Sequence, residues 1–367
     1  MRLAWLELHR FRAHLEMRFE PGEGVNVLVG ENGAGKTSVL EAIGYLSSLR
    51  SFRGSPDSSL VTDGSDGAIV RGEFEAGDRL SRVEVEIAAE GRRRVLLDGK
   101  RARGRAELAE RVALVAFLPD DLDLVKRGPA YRRDYLDDAA TQVWPVAATE
   151  QVEYDRVVRQ RNALLRREGH QADPTTLDVL DGRLADLGAA VIGRRLAVRS
   201  LLEPVASGLY GDLSDEPGQI EWRYEAAGLG EPEPDAGPDD LAPLLADAIA
   251  EARASDLDRR MTTVGPHRDE IVVLLDGRDA RTRASQGEQR SIALGFRVAV
   301  YRVLAERRGT PPVLLLDDVF SELDEGRGER LVEQMPSGQV FVTSARDEEV
   351  PLVGDRWTVT TGEVRRA

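Results

Sequence analysis

The apolar positions of the chain change period several times, and each change marks a different kind of element. Leu3 to Leu8 alternates, Phe19 to Gly24 supplies a turn, and Val25 to Val29 is a short apolar run; these read as strand, turn and buried strand. A helical period runs from about Lys36 to Leu49. Alternation returns at Ala68-Ile69-Val70, Val83 to Ile87 and Val95-Leu96-Leu97, with Asp98-Gly99 as a hairpin signal, so an antiparallel sheet is expected there. From about Pro129 to Leu209 the spacing turns helical again, with Leu177, Leu180, Leu184, Leu187 and Val191 stepping by three and four. A helix from about Ala148 to Glu168 stops at Gly169, and Asp173-Pro174-Thr175-Thr176 restarts the chain. That stretch predicts a helical hairpin with arms of roughly 20–30 residues, about 30–45 Å long. Residues 229–240, rich in Pro, Gly and acids, read as a flexible acidic linker. One helix then reaches about Leu257, and Val313 to Leu316 has the look of a strand buried on both faces.

Two segments carry chemistry. Val25 to Val29 leads into Gly30-Glu31-Asn32-Gly33-Ala34-Gly35-Lys36-Thr37-Ser38, which is strand, then G-x-x-x-x-G-K-T, then helix. Glycines let backbone N–H groups curl around phosphate oxygens, the lysine reaches the β- and γ-phosphates, and Thr37 is placed for Mg²⁺. Leu314-Leu315-Leu316-Asp317-Asp318 is an apolar strand ending in two carboxylates. Beside a phosphate loop, the first suits the cation and the second suits an attacking water. ATP and Mg²⁺ are therefore the expected cofactors, with Asp318 and Lys36 as catalytic residues and Thr37 and Asp317 as the metal ligands.

Ser285-Gln286-Gly287-Glu288-Gln289 precedes a helix from about Arg290 to Arg307, and Ser321-Glu322-Leu323-Asp324 follows the acidic strand. The order of phosphate loop, long insertion, S-x-G-E-Q, D-D strand and S-E-L-D resembles the ABC-type ATPase head of SMC and RecF proteins. Four further stretches resemble the RecF family in particular: Leu8-His9-Arg10-Phe11-Arg12, Pro119 to Asp137 with its Gly128-Pro129 and Arg132-Arg133, Gly265-Pro266-His267-Arg268-Asp269, and Leu315 to Leu331. Arg10 and Arg127 stand where that family carries other residues. The resemblance implies an α/β fold: an ABC-type head with a P-loop mixed sheet and an antiparallel subdomain, split over residues 1–118 and 211–367, with a helical-hairpin arm inserted at 119–210. It adds Arg12 to a nucleotide set of Gly30, Asn32, Gly33, Gly35, Lys36, Thr37 and Ser38. It also implies that Ser285, Gly287 and Gln289 face the nucleotide of a second subunit, and that Ser321 and Asp324 lie at the dimer seam.

The implied activity is a slow, DNA-stimulated ATPase that dimerises with ATP on duplex DNA near gaps. With RecR and RecO it would assist RecA loading during repair. A transporter-type nucleotide-binding subunit and an SMC-like tether are the alternatives. Against the first stand the missing histidine after Val340 to Val342, where only Thr343 and Ser344 offer a hydroxyl, and the missing glutamine loop; against the second stands an arm too short for a long coiled coil.

Composition bears on the DNA partner. The chain has 367 residues and a net charge of −15, which alone argues against phosphate binding. Residues 201–258, however, hold 15 acids against Arg223 and Arg253, so that this segment alone carries −13. Basic clusters lie elsewhere: Arg50 and Arg53 after the first helix, and Arg92, Arg93, Arg94, Lys100, Arg101 and Arg103 on the expected hairpin, with further arginines on the arm (Arg159, Arg161, Arg166, Arg167, Arg194, Arg195, Arg199). These are the candidate DNA contacts. The absence of cysteine excludes disulfides and thiolate metal sites. With no charge-free apolar run for a signal peptide or membrane span, a cytoplasmic location is expected.

Overall fold

The computed structural model describes residues 1–214, 217–335 and 337–367. In chain order its strands and helices are β1 (Arg2–Phe11), β2 (His14–Phe19), β3 (Val25–Val29), α1 (Lys36–Ser48), β4 (Gly67–Ala76), β5 (Arg79–Ala88), β6 (Arg93–Leu97), β7 (Lys100–Arg101), α2 (Arg105–Arg111) and β8 (Leu114–Phe117). Then come α3 (Pro129–Val143), α4 (Ala147–Glu168), α5 (Pro174–Leu213), β9 (Ile220–Glu225), α6 (Pro238–Arg259), β10 (Glu270–Leu275), β11 (Arg278–Asp279) and α7 (Ala280–Arg283). The chain closes with α8 (Gln286–Arg308), β12 (Val313–Asp317), α9 (Glu325–Gln334), β13 (Val340–Ser344), β14 (Asp355–Thr360) and β15 (Glu363–Arg366).

The chain forms two compact units, one built from Met1–Leu122, Asp212–Asp215 and Ala293–Ala367, the other from Asp123–Gly211 and Glu216–Ile292. In the first, β2-β1-β4-β5-β6-β7 make an antiparallel sheet and β15-β14-β3-β13-β12-β8 a mixed sheet, parallel except for β15. The core joins residues of both sheets to α1: Leu6, Val70 and Val85 from one, Leu28, Leu315 and Phe341 from the other, with Val39, Leu40, Ile43 and Leu46 of the helix. Helix α1 is buried almost all round, its polar residues Lys36, Ser38, Glu41 and Ser47 included. The mixed sheet sets the site: β13 lies between β3, which feeds the glycine loop, and β12, which ends in Asp317.

In the second unit the hairpin is longer than its sequence predicts. Helix α4 has 22 residues, but α5 has 40 and runs on through Pro204, about 60 Å at the usual rise. The unit also extends to Ile292, whereas the sequence reading ended the arm at 210 and gave everything from 211 to the head. The reason is buried charge. Arg161 of α4 pairs with Asp256 of α6 at 2.6 Å, and Arg195 of α5 lies 3.7 Å from Asp269, beside β10. Those pairs fasten the later segment to the arm helices. The linker expected at 229–240 is structured at both ends: Ala226 and Gly230 form a β-bridge, and α6 already begins at Pro238.

Candidate functional site

Between β3 and α1 the glycine loop meets its neighbours closely. A Cβ on Gly30 would stand 2.4 Å from the Val359 carbonyl oxygen of β14. Gly35 has φ +102°, and a Cβ there would stand 2.6 Å from Nε2 of His14. Gly33 also has a positive φ of +85°, but open space around it. Asn32 is exposed, and Ser38 is buried in the first turn of α1. Lys36 Nζ donates to the carbonyls of Gly30 at 2.6 Å and Glu31 at 3.1 Å, which centres the ammonium in the loop. Burial lowers its pKa, while the carboxylates of Asp318 and Asp317 oppose that shift.

Thr37 Oγ1 donates to Asp317 Oδ1 at 2.9 Å, and Thr343 Oγ1 donates to the same oxygen at 2.7 Å. Burial raises the Asp317 pKa, whereas these two hydroxyls and the charge of Arg53 pull it down. The next residue, Asp318, has φ +52°, a left-handed conformation that costs a non-glycine residue about 1–2 kcal/mol. Its Oδ1 is buried with no hydrogen-bond partner. The Asp318 carboxylate thus stands at the end of β12 near the loop lysine, with one buried oxygen unengaged.

Several sequence-named residues occupy other roles. Arg12 binds Glu41 of α1 through Nε at 2.8 Å and Nη2 at 2.9 Å, and Nη2 also donates to Ser55 Oγ. Its guanidinium is thus engaged with a carboxylate one helical turn beyond Thr37. Gln289 is buried, and its amide nitrogen donates to the carbonyls of Ala280, Arg281 and Ala284, so it closes the turn before α8 and does not point outward as the sequence reading required. Ser285 is exposed: its N–H donates to Glu288 at 2.6 Å, and the Glu288 N–H donates to its Oγ at 3.3 Å, a capping box at the start of α8. Gly287 follows in the first turn of α8 and is half-buried. Ser321 Oγ donates to the Asp318 carbonyl at 2.8 Å, and Asp324 caps α9 through the Arg327 N–H.

The candidate DNA contacts separate. Arg93 donates to the Leu49 carbonyl at 2.6 Å and pairs with Asp57, and Arg94 lies 3.6 Å from Glu86. Arg53 is exposed, and its charge lowers the Asp317 pKa. Arg50, Arg92, Lys100, Arg101 and Arg103 are exposed and make no ion pair among the described residues. On the arm, Arg161, Arg194 and Arg195 all sit in ion pairs, and Arg199 is buried. Sequence reasoning missed His14, which is fully buried with Nε2 3.2 Å from the Gly35 carbonyl, and Glu41. Glu41 had a signal, an acid inside the apolar run Val39 to Ile43; His14 had none.

Glycine geometry yields a sharp contrast. Gly35→Ala adds backbone strain and a clash with His14, and is expected to weaken ATP binding about tenfold or more; Gly33→Ala meets only the strain and should weaken it less. Equilibrium titration with a fluorescent ATP analogue measures both, and equal losses would remove His14 from the account.

Fold and site together define a P-loop ATPase head of the SMC kind. Residues 2–363 match the family model described as RecF/RecN/SMC N terminal domain. An SMC head bound to the C-winged helix domain of ScpA shares the fold, at 18% identity and a TM-score of 0.57, over 100% of this chain and 97% of that one. More similar is a solved structure of the recombination mediator protein RecF-ATP in the RecFOR pathway, at 30% identity and a TM-score of 0.91, covering 100% and 97% of the two chains. The DNA replication and repair protein RecF of Frankia alni is 40% identical, with each chain covered in full. The chain belongs to the RecF family.

Proposed function

We propose that the chain is an ATP-controlled DNA clamp of the recombination-mediator kind. The observation that carries this reading is the convergence of Lys36, Thr37, Asp317 and the strained, orphaned Asp318 at the glycine loop. Among the described residues no three carboxylate or imidazole groups gather into a cation cage. A Mg²⁺ ion would instead take Thr37 Oγ1 and Asp317 as protein ligands and complete its shell from phosphate oxygens and water. When bound it supplies charge neutralisation of the β- and γ-phosphates. Lys36 and the loop N–H groups hold those phosphates, and Asp318 orients the attacking water.

The capping box at Ser285 engages the N–H groups of Ser285 and Glu288 and leaves those of Gln286 and Gly287 for an anion, which the helix dipole favours. In a pair of heads, that terminus would cover the γ-phosphate of the partner's ATP, so ATP joins two chains and slow hydrolysis releases them. Duplex DNA is then held by its phosphates, with Arg50, Arg92, Lys100, Arg101 and Arg103 as the available cations. Working near gaps with RecR and RecO, such a clamp would assist RecA loading. No described helix is long and apolar enough to cross a membrane.

The test is duplex binding, followed by fluorescence anisotropy, together with sizing, each with and without ATP. Affinity for DNA should rise with ATP in step with dimer formation, and fall steeply with salt because phosphate contacts release counterions. Ser285→Arg should bind ATP normally, stay monomeric and gain no DNA affinity. Equal DNA affinity with and without ATP would overturn the clamp.

A further inference from the structure

Thr343 occupies a place that neither the phosphate loop nor the acidic pair accounts for. It lies on β13, the strand between β3 and β12, in register with Leu28 on one side and Asp317 on the other. Its side chain is almost wholly buried. A hydroxyl has one proton to give, and here it goes to Asp317 Oδ1 at 2.7 Å, since a carboxylate only accepts. One of its two lone pairs accepts the N–H of Asp318 at 2.9 Å. One oxygen therefore connects the side chain of the first acid to the backbone of the second.

The bond to Asp318 falls where the backbone is strained. Asp318 holds φ +52°, and a conformation of that kind persists only where its surroundings over-determine it. Two hydroxyls do so here: Thr343 takes the N–H of Asp318, and Ser321 donates to its carbonyl at 2.8 Å. The neighbouring Ser344 is not equivalent, because its Oγ donates to Glu349 and accepts the Arg346 N–H.

We propose that Thr343 is a positioning residue for ATP hydrolysis: its hydroxyl locks the left-handed backbone of Asp318 to the Asp317 carboxylate, and so aims the Asp318 carboxylate at the attacking water. The inference rests on the ATPase reading above, and its test separates the two. It touches neither phosphate nor water itself, so its removal should slow the chemical step and spare nucleotide binding. Any hydroxyl at that Cβ can make both bonds, whereas a shape-matched apolar side chain can make neither.

The experiment compares Thr343→Val with Thr343→Ser in the full chain. Steady-state phosphate release gives kcat and KM, a fluorescent ATP analogue gives nucleotide affinity, and hydrogen exchange without nucleotide reports the Asp318 amide. Thr343→Val should lose about tenfold to 100-fold in kcat with KM and nucleotide affinity within about threefold, while its Asp318 amide exchanges at least about tenfold faster. Thr343→Ser should keep the protection of that amide and most of kcat. Unchanged exchange at Asp318 in Thr343→Val would overturn the proposal whatever the chain's turnover, because that measurement involves no ATP. A parallel loss of kcat and nucleotide affinity that serine fails to restore would also overturn it, by showing a general packing role.

Discussion

Asp318→Asn is expected to lower ATP turnover by about 100-fold to 1,000-fold while leaving nucleotide affinity within about threefold. The substitution is chosen for its backbone as much as for its charge. Asp318 sits at φ +52°, and asparagine is among the few side chains that accept the left-handed region readily. The Thr343 and Ser321 bonds run to the main chain of residue 318, so they survive the change. What disappears is the negative charge and the capacity to take a proton from water. The orphaned oxygen remains, now an amide oxygen that can hold the water without activating it. With binding spared and hydrolysis slowed, the ATP-bound dimer should accumulate, and DNA should dissociate more slowly from it. Phosphate release and sizing in ATP measure the two effects. Normal turnover in Asp318→Asn would show that Asp318 is not the residue that activates water, and would move the search to other groups near the γ-phosphate.

The phosphate loop was legible in the sequence because its chemistry is local. Strand, glycines, lysine and helix follow one another within 14 residues of chain, from Val25 to Ser38, and backbone sterics assign each its place. The acidic pair was legible for the same reason, as a strand end with two carboxylates. Thr343 could be named only as one of two hydroxyls after a strand. Its pairing with Asp317 depends on the parallel register of β12 and β13, and no short-range pattern encodes which residues of two strands stand opposite each other. Gln289 failed in the opposite direction: it belongs to a recognisable motif, yet the turn before α8 engages its side chain with three backbone carbonyls.

Charge was the least legible property. Arginines in a sequence read as surface, since they are almost never fully buried unless paired, and nothing in a linear pattern reveals the pair. Part of the opposition between a basic arm and an acidic 201–258 segment is paired inside the second unit. Asp256, one of the acids behind the local charge of −13, is buried against Arg161, one of the arm arginines first considered for DNA. Arg253 of the same segment pairs with Asp178 and Asp181 of α5. Most of the segment's acids, among them Glu231, Glu233, Asp235, Asp239, Asp240, Asp247 and Glu251, remain exposed, so its net charge is chiefly that of a surface.

That network sets the largest stability effect expected in the chain. Arg161 is fully buried on α4; its Nε donates to Asp181 of α5 at 2.6 Å, and its Nη1 donates to Asp256 of α6 at 2.6 Å and to Thr262 at 3.1 Å. Arg161→Met keeps an unbranched apolar stem and removes the cation that three helices share. Asp181 keeps Arg253 as a partner, but Asp256 keeps only neutral donors, the N–H and hydroxyl of Thr263. Removing one partner of a buried pair leaves an uncompensated charge, which costs about 3–5 kcal/mol, a large share of the stability of an ordinary domain. Arg156→Met, on the exposed face of the same helix, should stay within about 0.5 kcal/mol. Denaturant unfolding of both variants measures the difference. If the two proved equally stable, the Arg161 network would be no support for the arm, and the grouping of residues up to Ile292 with α4 and α5 would need another cause.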